Sequence, residues 1–374
     1  MWNILEIRKK QKYVLQKLRS NVTKEEQEKL ELSLISYISM LSNSGTLYTK
    51  FYNFMDRITK DRFSLYRNAP YIQMEQKLVS EQIPKFDDNY LNFLITLATN
   101  IASTSNDEQL DFIPLNLSGE DLVKISSNFY LQLGDQEIMQ NAFKILGDST
   151  SLNITNTSRE GFEDFGGITY NDYIFNKSYC TIKKSNTIYD AQILNHEVMH
   201  GIDFYMHPKI PSKNYFGFHE VPTYTIDYLM LDYLEQIGFN SNEVNKLRTQ
   251  KSNYLSSLAS LTLTQIKGQL IRTKGIKASL NPSINDINDC LTPQLKKQLL
   301  EIQSGVIAYG LSQQIVLNRE LGLNNLKKFM KSLIPKDKRP NFESIGLTDE
   351  KLLELSKMIS IYSIEHGEVQ GRSR

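Results

Sequence analysis

Residues 195–203 read Asn-His-Glu-Val-Met-His-Gly-Ile-Asp, and this short stretch directs the interpretation of the whole chain. His196 and His200 are four residues apart, so on a helix both imidazoles project from one face and can bind the same metal ion. Glu197 follows the first histidine, where its carboxylate can accept a proton from a water held by the metal. Four of the chain's five histidines lie between residues 196 and 219. The pattern therefore predicts a metal-binding helix.

The flanking residues favour the same helix. Asp190 is expected to cap its N-terminus, and the pair His207-Pro208 is expected to end it, since proline cannot continue a helix. Two histidines do not complete a catalytic zinc site, which normally has three protein ligands and one open position. A third ligand is therefore expected downstream.

Glu220, at the start of a long helical pattern, is the best candidate for that third ligand. A metzincin-type site is excluded, because its pattern requires Gly and His at positions that Asp203 and Met206 occupy here. His207 and His219 remain open as alternative ligands. With Glu220 the site has two histidines and one glutamate, which is a known zinc ligand set.

This combination of motifs resembles a known enzyme family. His-Glu-x-x-His followed about twenty residues later by Glu-Val-Pro-Thr (220–223) is similar to the gluzincin zinc metallopeptidases, above all to the thimet oligopeptidase and oligoendopeptidase group. The Gly166-Gly167 turn, the strand pattern at 179–183 and the segment 308–312 extend the resemblance over residues 165–335. Only the metal motifs are specific.

The resemblance implies a Zn²⁺-dependent endopeptidase that hydrolyses unfolded peptides. Zn²⁺ would be bound by His196, His200 and Glu220, with Glu197 as general base. In that family, tyrosines on a late helix help to hold the carbonyl oxygen of the scissile bond. Tyr309 is the tyrosine that remains in this register, and Tyr224 is the next candidate.

The hydrophobic periodicity predicts a mainly helical protein with a small β-sheet beside the metal helix and the active site in a deep cleft. Ile168, Tyr170 and residues 179–183 carry the strand pattern. A polar stretch at 147–160 suggests a helical N-terminal region, 1–150, forming one wall of the cleft, and a zinc-binding region, 151–374. The predicted helices are residues 1–20, 24–60, 73–103, 119–146, 222–270, 292–333 and 348–365, with a polar link at 278–289.

Composition excludes several classes of protein. The chain has 374 residues, and its 43 Lys and Arg balance 42 Asp and Glu, so no net field favours nucleic acid or a membrane surface. No apolar run approaches the length of a spanning helix, and no stable membrane association is expected. The two cysteines, Cys180 and Cys290, form no framework, which favours a reducing, cytoplasmic location. The sequence leaves the oligomeric state open.

Two other functions fit the same motifs. The weak match at the late-helix tyrosines would suit a peptidase-like module that binds peptides without cleaving them. Alternatively, the zinc site could belong to a processing or effector protease with one protein target. In the metallopeptidase mechanism the strand at 179–181 could add the substrate as an extra strand, and Asp203 or Asp227 could orient a ligand histidine.

Overall fold

A computed structural model of the chain describes residues 4–43, 86–102, 111–155, 166–208, 218–332, 334 and 339–359. The chain divides into two compact units, Met1–Glu81 with Pro114–Ser212, and Gln82–Ile113 with Lys213–Arg374. Within the described ranges α-helices dominate and one small sheet is present, which confirms the predicted fold class. The division at residue 150 and the deep cleft stay predictions.

The first unit is a three-stranded sheet with helices on both faces. Its sheet has the order β1-β3-β2, with β1 parallel and β2 antiparallel to the central strand β3. The metal helix α6 packs on one face, with α5 and α4 behind it, while α1 and α2 lie on the other. Its elements are α1 (Ile4–Lys17), α2 (Lys24–Asn43), α4 (Gly119–Leu133), α5 (Gln136–Leu146), β1 (Leu152–Thr155), β2 (Gly167–Asp172), β3 (Lys177–Lys183) and α6 (Tyr189–Met206).

The second unit is helical in its described residues. Helix α11 is its centre, because α3, α7, α8 and α12 all pack against it. Residues 349–359 are also helical. The elements are α3 (Asp88–Ile101), α7 (Glu220–Gln236), α8 (Ser241–Lys274), α9 (Ile276–Leu280), α10 (Ile284–Cys290), α11 (Pro293–Leu317) and α12 (Arg319–Lys331), followed by a 3₁₀ turn at Glu343–Ile345.

In the structure, three of the predicted helices are each divided into two. The division falls at or near a residue that favours a turn. Gly134 has φ 81° and ends α4, and Gly238, with φ 91°, follows α7. Asn318 is the C-cap of α11, and its side chain caps the N-terminus of α12. It therefore divides the predicted helix 292–333. The predicted polar link at 278–289 is wrong, since short helices α9 and α10 occupy most of it.

Other predictions of local structure are confirmed where the structure describes them. The N-terminal pattern forms helix α1, which buries Ile7 and Val14 against the sheet side of the first unit. The strand patterns form β2 and β3, whereas β1 was missed. The predicted helical residues 44–60, 73–85 and 360–365 lie outside the described residues. None of the helices within the described ranges is long and apolar enough to cross a bilayer.

Candidate metal centre

Helix α6 carries both histidines of the motif on one face. The ring centroids of His196 and His200 are 4.9 Å apart and the rings are nearly perpendicular, at 81°. Both side chains are partly exposed, whereas the neighbouring residues Asn195 and Val198 are fully buried. The helix therefore directs the imidazoles away from its packed side, as the four-residue spacing predicts.

The N-terminus of α6 differs from the prediction. The helix begins at Tyr189, and Ile188 occupies the cap position without a side-chain hydrogen bond. Asp190 lies in the first turn, where it is buried and accepts hydrogen bonds from the Ser185 N–H at 2.6 Å and the Asn186 N–H at 2.9 Å. It fixes the loop that joins β3 to α6. The prediction that Asp190 is the N-cap was wrong.

Gly201, directly after the second histidine, lets α6 approach the sheet closely. A Cβ atom at this position would lie 2.5 Å from Ile145 Cδ1 and 2.8 Å from Ser178 Oγ. A larger residue would push the helix away from α5 and β3, so glycine fixes the depth at which the metal helix packs.

Glu197 faces the sheet rather than open solvent. The residue is 5% exposed, and the Thr169 hydroxyl lies 2.7 Å from Oε2 and 2.8 Å from the Glu197 main-chain oxygen. The Cys180 thiol also lies 3.3 Å from that main-chain oxygen. Because a hydroxyl has one proton, Thr169 donates to one of the two oxygens at a time. Strand β2 thus holds the carboxylate at a fixed place beside the histidines.

Gly167 explains how β2 can lie so near Glu197. A Cβ atom on Gly167 would lie 2.5 Å from Glu197 Cγ and 2.9 Å from both Glu197 Oε1 and Ile193 Cγ2. Only glycine leaves room for the carboxylate at this point. Gly167 and Thr169 are two residues apart in the strand, so they present the same face to α6.

Glu220 is the first residue of α7, where a carboxylate is favoured by the helix dipole. The Thr223 hydroxyl lies 3.1 Å from Glu220 Oε2, and His219 Nε2 lies 3.0 Å from Glu220 Oε1. These contacts hold the carboxylate at the helix start.

One group of potential metal ligands is found among the described residues, and it consists of His196, His200 and Glu220. Each offers one ligand atom, and these atoms all lie within 4.8 Å of one another. These three residues could therefore hold a metal ion. The alternatives His207 and His219 are not part of this group, within the ranges that the structure describes. His207 instead ends α6, as predicted, with its N–H bonded to the Asp203 carbonyl.

The predicted oxyanion donor Tyr309 lies on α11 in contact with Tyr228, with 5.4 Å between ring centroids. It lines a cavity of about 70 Å³ together with Arg248 and Ser252. Burial raises the pKa of its hydroxyl. Its role in the site stays a prediction.

Two aspartates were predicted to orient a ligand histidine, and one threonine near the site was not predicted. Asp227, proposed to orient a histidine, forms a buried ion pair with Lys251 at 2.7 Å. Asp203 is buried on the metal helix, and its role stays a prediction. Thr169 was missed by sequence reasoning, because nothing in a threonine 28 residues before Glu197 shows that β2 brings the two together.

Strand β3 cannot accept a substrate strand. It is the central strand of the sheet, with β1 on one side over Leu152–Thr155 and β2 on the other over Gly167–Asp172. Its main-chain groups are already paired on both sides. The prediction that the segment 179–181 adds the substrate was therefore wrong.

Known structures share this fold. The chain resembles an X-ray structure assigned as oligoendopeptidase F, with a TM-score of 0.50 and 11% identity over 98% of this chain and 80% of that one. A second match, assigned as a peptidase from Chlamydophila abortus, has a TM-score of 0.50 and 12% identity over 96% of this chain and 67% of that one. The chain has an oligoendopeptidase-like helical fold. At this identity the likeness is one of fold, and it confirms the resemblance at that level.

No protein-family profile and no curated protein sequence matches the chain.

Proposed function

We propose that this protein is a zinc-dependent endopeptidase that hydrolyses peptide bonds of unfolded peptides. The observation that carries the proposal is the convergence of ligand atoms from His196, His200 and Glu220 within 4.8 Å of one another. The oligoendopeptidase-like fold supports it.

The donor set fits zinc. Two imidazole nitrogens and one carboxylate oxygen form a typical set of protein ligands in catalytic zinc sites, with the fourth position left open. When bound, Zn²⁺ lowers the pKa of a coordinated water towards 7 and polarises a carbonyl group. His196 and His200 would hold it from the metal helix, and Glu220 would hold it from the start of α7.

Glu197 is the proposed general base. Its carboxylate follows His196 directly, and the Thr169 hydroxyl is 2.7 Å from one of its oxygens. Such a base accepts a proton from the attacking water and later gives it to the leaving amine. Fixing the carboxylate against β2 means that it need not be ordered again in each turnover.

The edge of β2 at Gly167 and Thr169, on the side away from β3, is the proposed place for the peptide main chain. Lys183 N–H donates to the Gly166 carbonyl, and pairs in an antiparallel ladder alternate. Gly167 and Thr169 therefore point their N–H and C=O groups away from β3. An extended peptide paired with this edge would run beside the base, a conformation that an unfolded peptide adopts readily.

Tyr309 is the proposed donor to the oxyanion, as the resemblance implies.

The cysteines are compatible with the proposed cytoplasmic location, since both are buried and neither is in a disulfide. No feature of the described residues sets the oligomeric state.

Cleavage of a mixed peptide library by zinc-loaded protein tests the proposal. Replacing Glu197 with Gln keeps the size and removes the basic oxygen, so cleavage should fall about 10²–10⁴-fold while zinc is retained. Glu120→Gln, an exposed change in the same unit, is the matched control and should leave cleavage unchanged.

Three results would contradict parts of this account. Full activity of Glu197→Gln would remove its role as base. Loss of zinc from that variant would make Glu197 a structural residue of the site. Binding of peptides by zinc-loaded wild-type protein with no cleavage would favour the peptide-binding module.

A further inference from the structure

Three helices of the second unit bring two tyrosine hydroxyls to one carboxylate. The carboxylate belongs to Glu301 on α11, and its Oε1 accepts hydrogen bonds from Tyr254 on α8 and from Tyr224 on α7, the latter at 3.3 Å. The Tyr224 side chain is buried, whereas Tyr254 is 46% exposed. The ring of Tyr254 is therefore held by its hydroxyl at Glu301 and is partly exposed to solvent.

Glu301 has no cationic partner among the ion pairs of the described residues. Lys251, a buried cation that lies over the Tyr224 ring, forms its ion pair with Asp227 at 2.7 Å. Lys297, one turn before Glu301 on the same helix, is exposed and makes no ion pair with it in the described part of the chain. A partly buried carboxylate without a cation is electrostatically unusual, because burial costs free energy that a positive charge would offset.

One of the two tyrosine rings beside Glu301, that of Tyr224, already contacts a cation. The Lys251 ammonium lies 3.4 Å from the ring centroid of Tyr224. Burial, and after it the charges of Glu220 and Glu301, raise the pKa of Tyr224, so two carboxylates act on its hydroxyl. The exposed ring of Tyr254 offers a similar surface to a cation from solvent.

The group also lies close to the candidate metal centre. Tyr224 follows Glu220 by four residues on α7, so their side chains share one face of the helix, a single turn apart. The tyrosine that contacts Glu301 thus lies one helical turn from the third proposed metal ligand.

We propose that Glu301 and the ring of Tyr254 form a subsite for a positively charged group of the peptide substrate, either a Lys or Arg side chain or a free amino terminus. This inference rests on the proposed peptidase function and names the substrate class that the site prefers. The carboxylate supplies the charge, and the anchored ring supplies a face against which the aliphatic part of the side chain packs.

The experiment compares peptides of one sequence in which a single Lys is replaced, at successive positions, by acetyl-lysine, each with a free or an acetylated amino terminus. Wild-type protein should cleave the Lys peptide about tenfold faster, in kcat/KM, at one position relative to the cut. If the amino terminus is the ligand, acetylation of the terminus should lower kcat/KM in place of acetylation of the lysine. Either preference should weaken as salt is raised, because the subsite is partly exposed.

Glu301→Gln should abolish the preference and leave cleavage of the acetyl-lysine peptide within about twofold of wild type. Glu320→Gln, an exposed change on α12, is the charge-matched control and should keep the preference. A structural role of Glu301 would instead lower the melting temperature and reduce cleavage of both peptides equally.

Fluorescence anisotropy with the same labelled peptides separates this inference from the peptidase proposal. If nothing is cleaved, the peptidase proposal fails, and tighter binding of the Lys peptide that Glu301→Gln removes would still support the subsite. Equal binding of charged and acetylated peptides by wild-type protein, or a preference that survives Glu301→Gln, would overturn it.

Discussion

The two faces of the small sheet are built in opposite ways. Gly167 and Thr169 of β2 face the metal helix and let Glu197 lie against the strand. Tyr170 and Tyr179 point to the other face, where they join the apolar cluster formed with α1 and α2. Small residues allow close approach on one face, and large aromatics fill the core on the other. Alternate residues of one strand thus position the proposed base and stabilise the unit.

The face of the sheet that packs on α1 and α2, called the far face below, also holds a buried charge network. Asp172 is fully buried, accepts a hydrogen bond from the Tyr37 hydroxyl at 2.5 Å and pairs with Lys10 at 3.6 Å. Lys10 in turn donates to the Tyr179 hydroxyl at 2.7 Å. This network joins α1 and α2 to the end of β2, so it belongs to stability rather than to the proposed chemistry.

The largest expected effect is therefore on this far face. Asp172→Ala removes the carboxylate that accepts hydrogen bonds from the buried Tyr37 hydroxyl and from the Ile174 and Phe175 N–H groups, while the partly buried Lys10 keeps only Glu6 at 3.6 Å. The loss should lower the free energy of unfolding by about 3–5 kcal/mol. Activity per folded molecule should stay within about twofold. Lys29→Ala, in an exposed pair on α2, is the control and should cost less than about 0.5 kcal/mol. Denaturant titration together with kcat/KM checks both, and a selective loss of activity in Asp172→Ala would show that the faces are not separate.

The next effect belongs to the site face. Gly167→Ala places a methyl group against Glu197 and Ile193, so the carboxylate must move, and kcat/KM should fall about 100-fold. Gly268→Ala is the matched control, because a Cβ there meets nothing within 4 Å. It should leave activity unchanged and stabilise α8 by about 0.5–1 kcal/mol. Equal activity of the two variants would mean that β2 does not constrain the base.

Thr169→Val should have the smallest effect of the three. It keeps the shape of the side chain and removes the hydroxyl that holds Glu197, so we expect about a tenfold fall in kcat with little change in KM. Thr169→Ser restores a hydroxyl and should recover most of the activity. If the serine variant is no better than the valine variant, the hydroxyl is not the group that matters.

The sequence predicted those features that depend on local spacing. His196 and His200 share a face because a helix repeats every 3.6 residues, and the strand patterns of β2 and β3 show in their β-branched and aromatic residues. Glycine and asparagine at 134, 238 and 318 broke three predicted helices, since their turn geometry outweighed the periodic pattern around them.

Features that depend on distant parts of the chain were not predictable. Strand β1 has only four residues, Leu-Asn-Ile-Thr, within a polar stretch rich in Ser, Asn and Thr, so its alternation is too short to mark a strand. Pairing on both sides makes β3 central, and strand order does not appear in local sequence. Likewise, the contact between Thr169 and Glu197 exists only because β2 packs on α6.

The metal content of the purified protein tests the central claim most directly. Elemental analysis of protein prepared without added metal should give one zinc per chain. Glu220→Ala should lower the zinc content more than His207→Ala or His219→Ala does, because Glu220 alone of these three belongs to the group of converging ligand atoms. Protein without zinc, or a His219→Ala variant that loses the metal while Glu220→Ala retains it, would contradict the account.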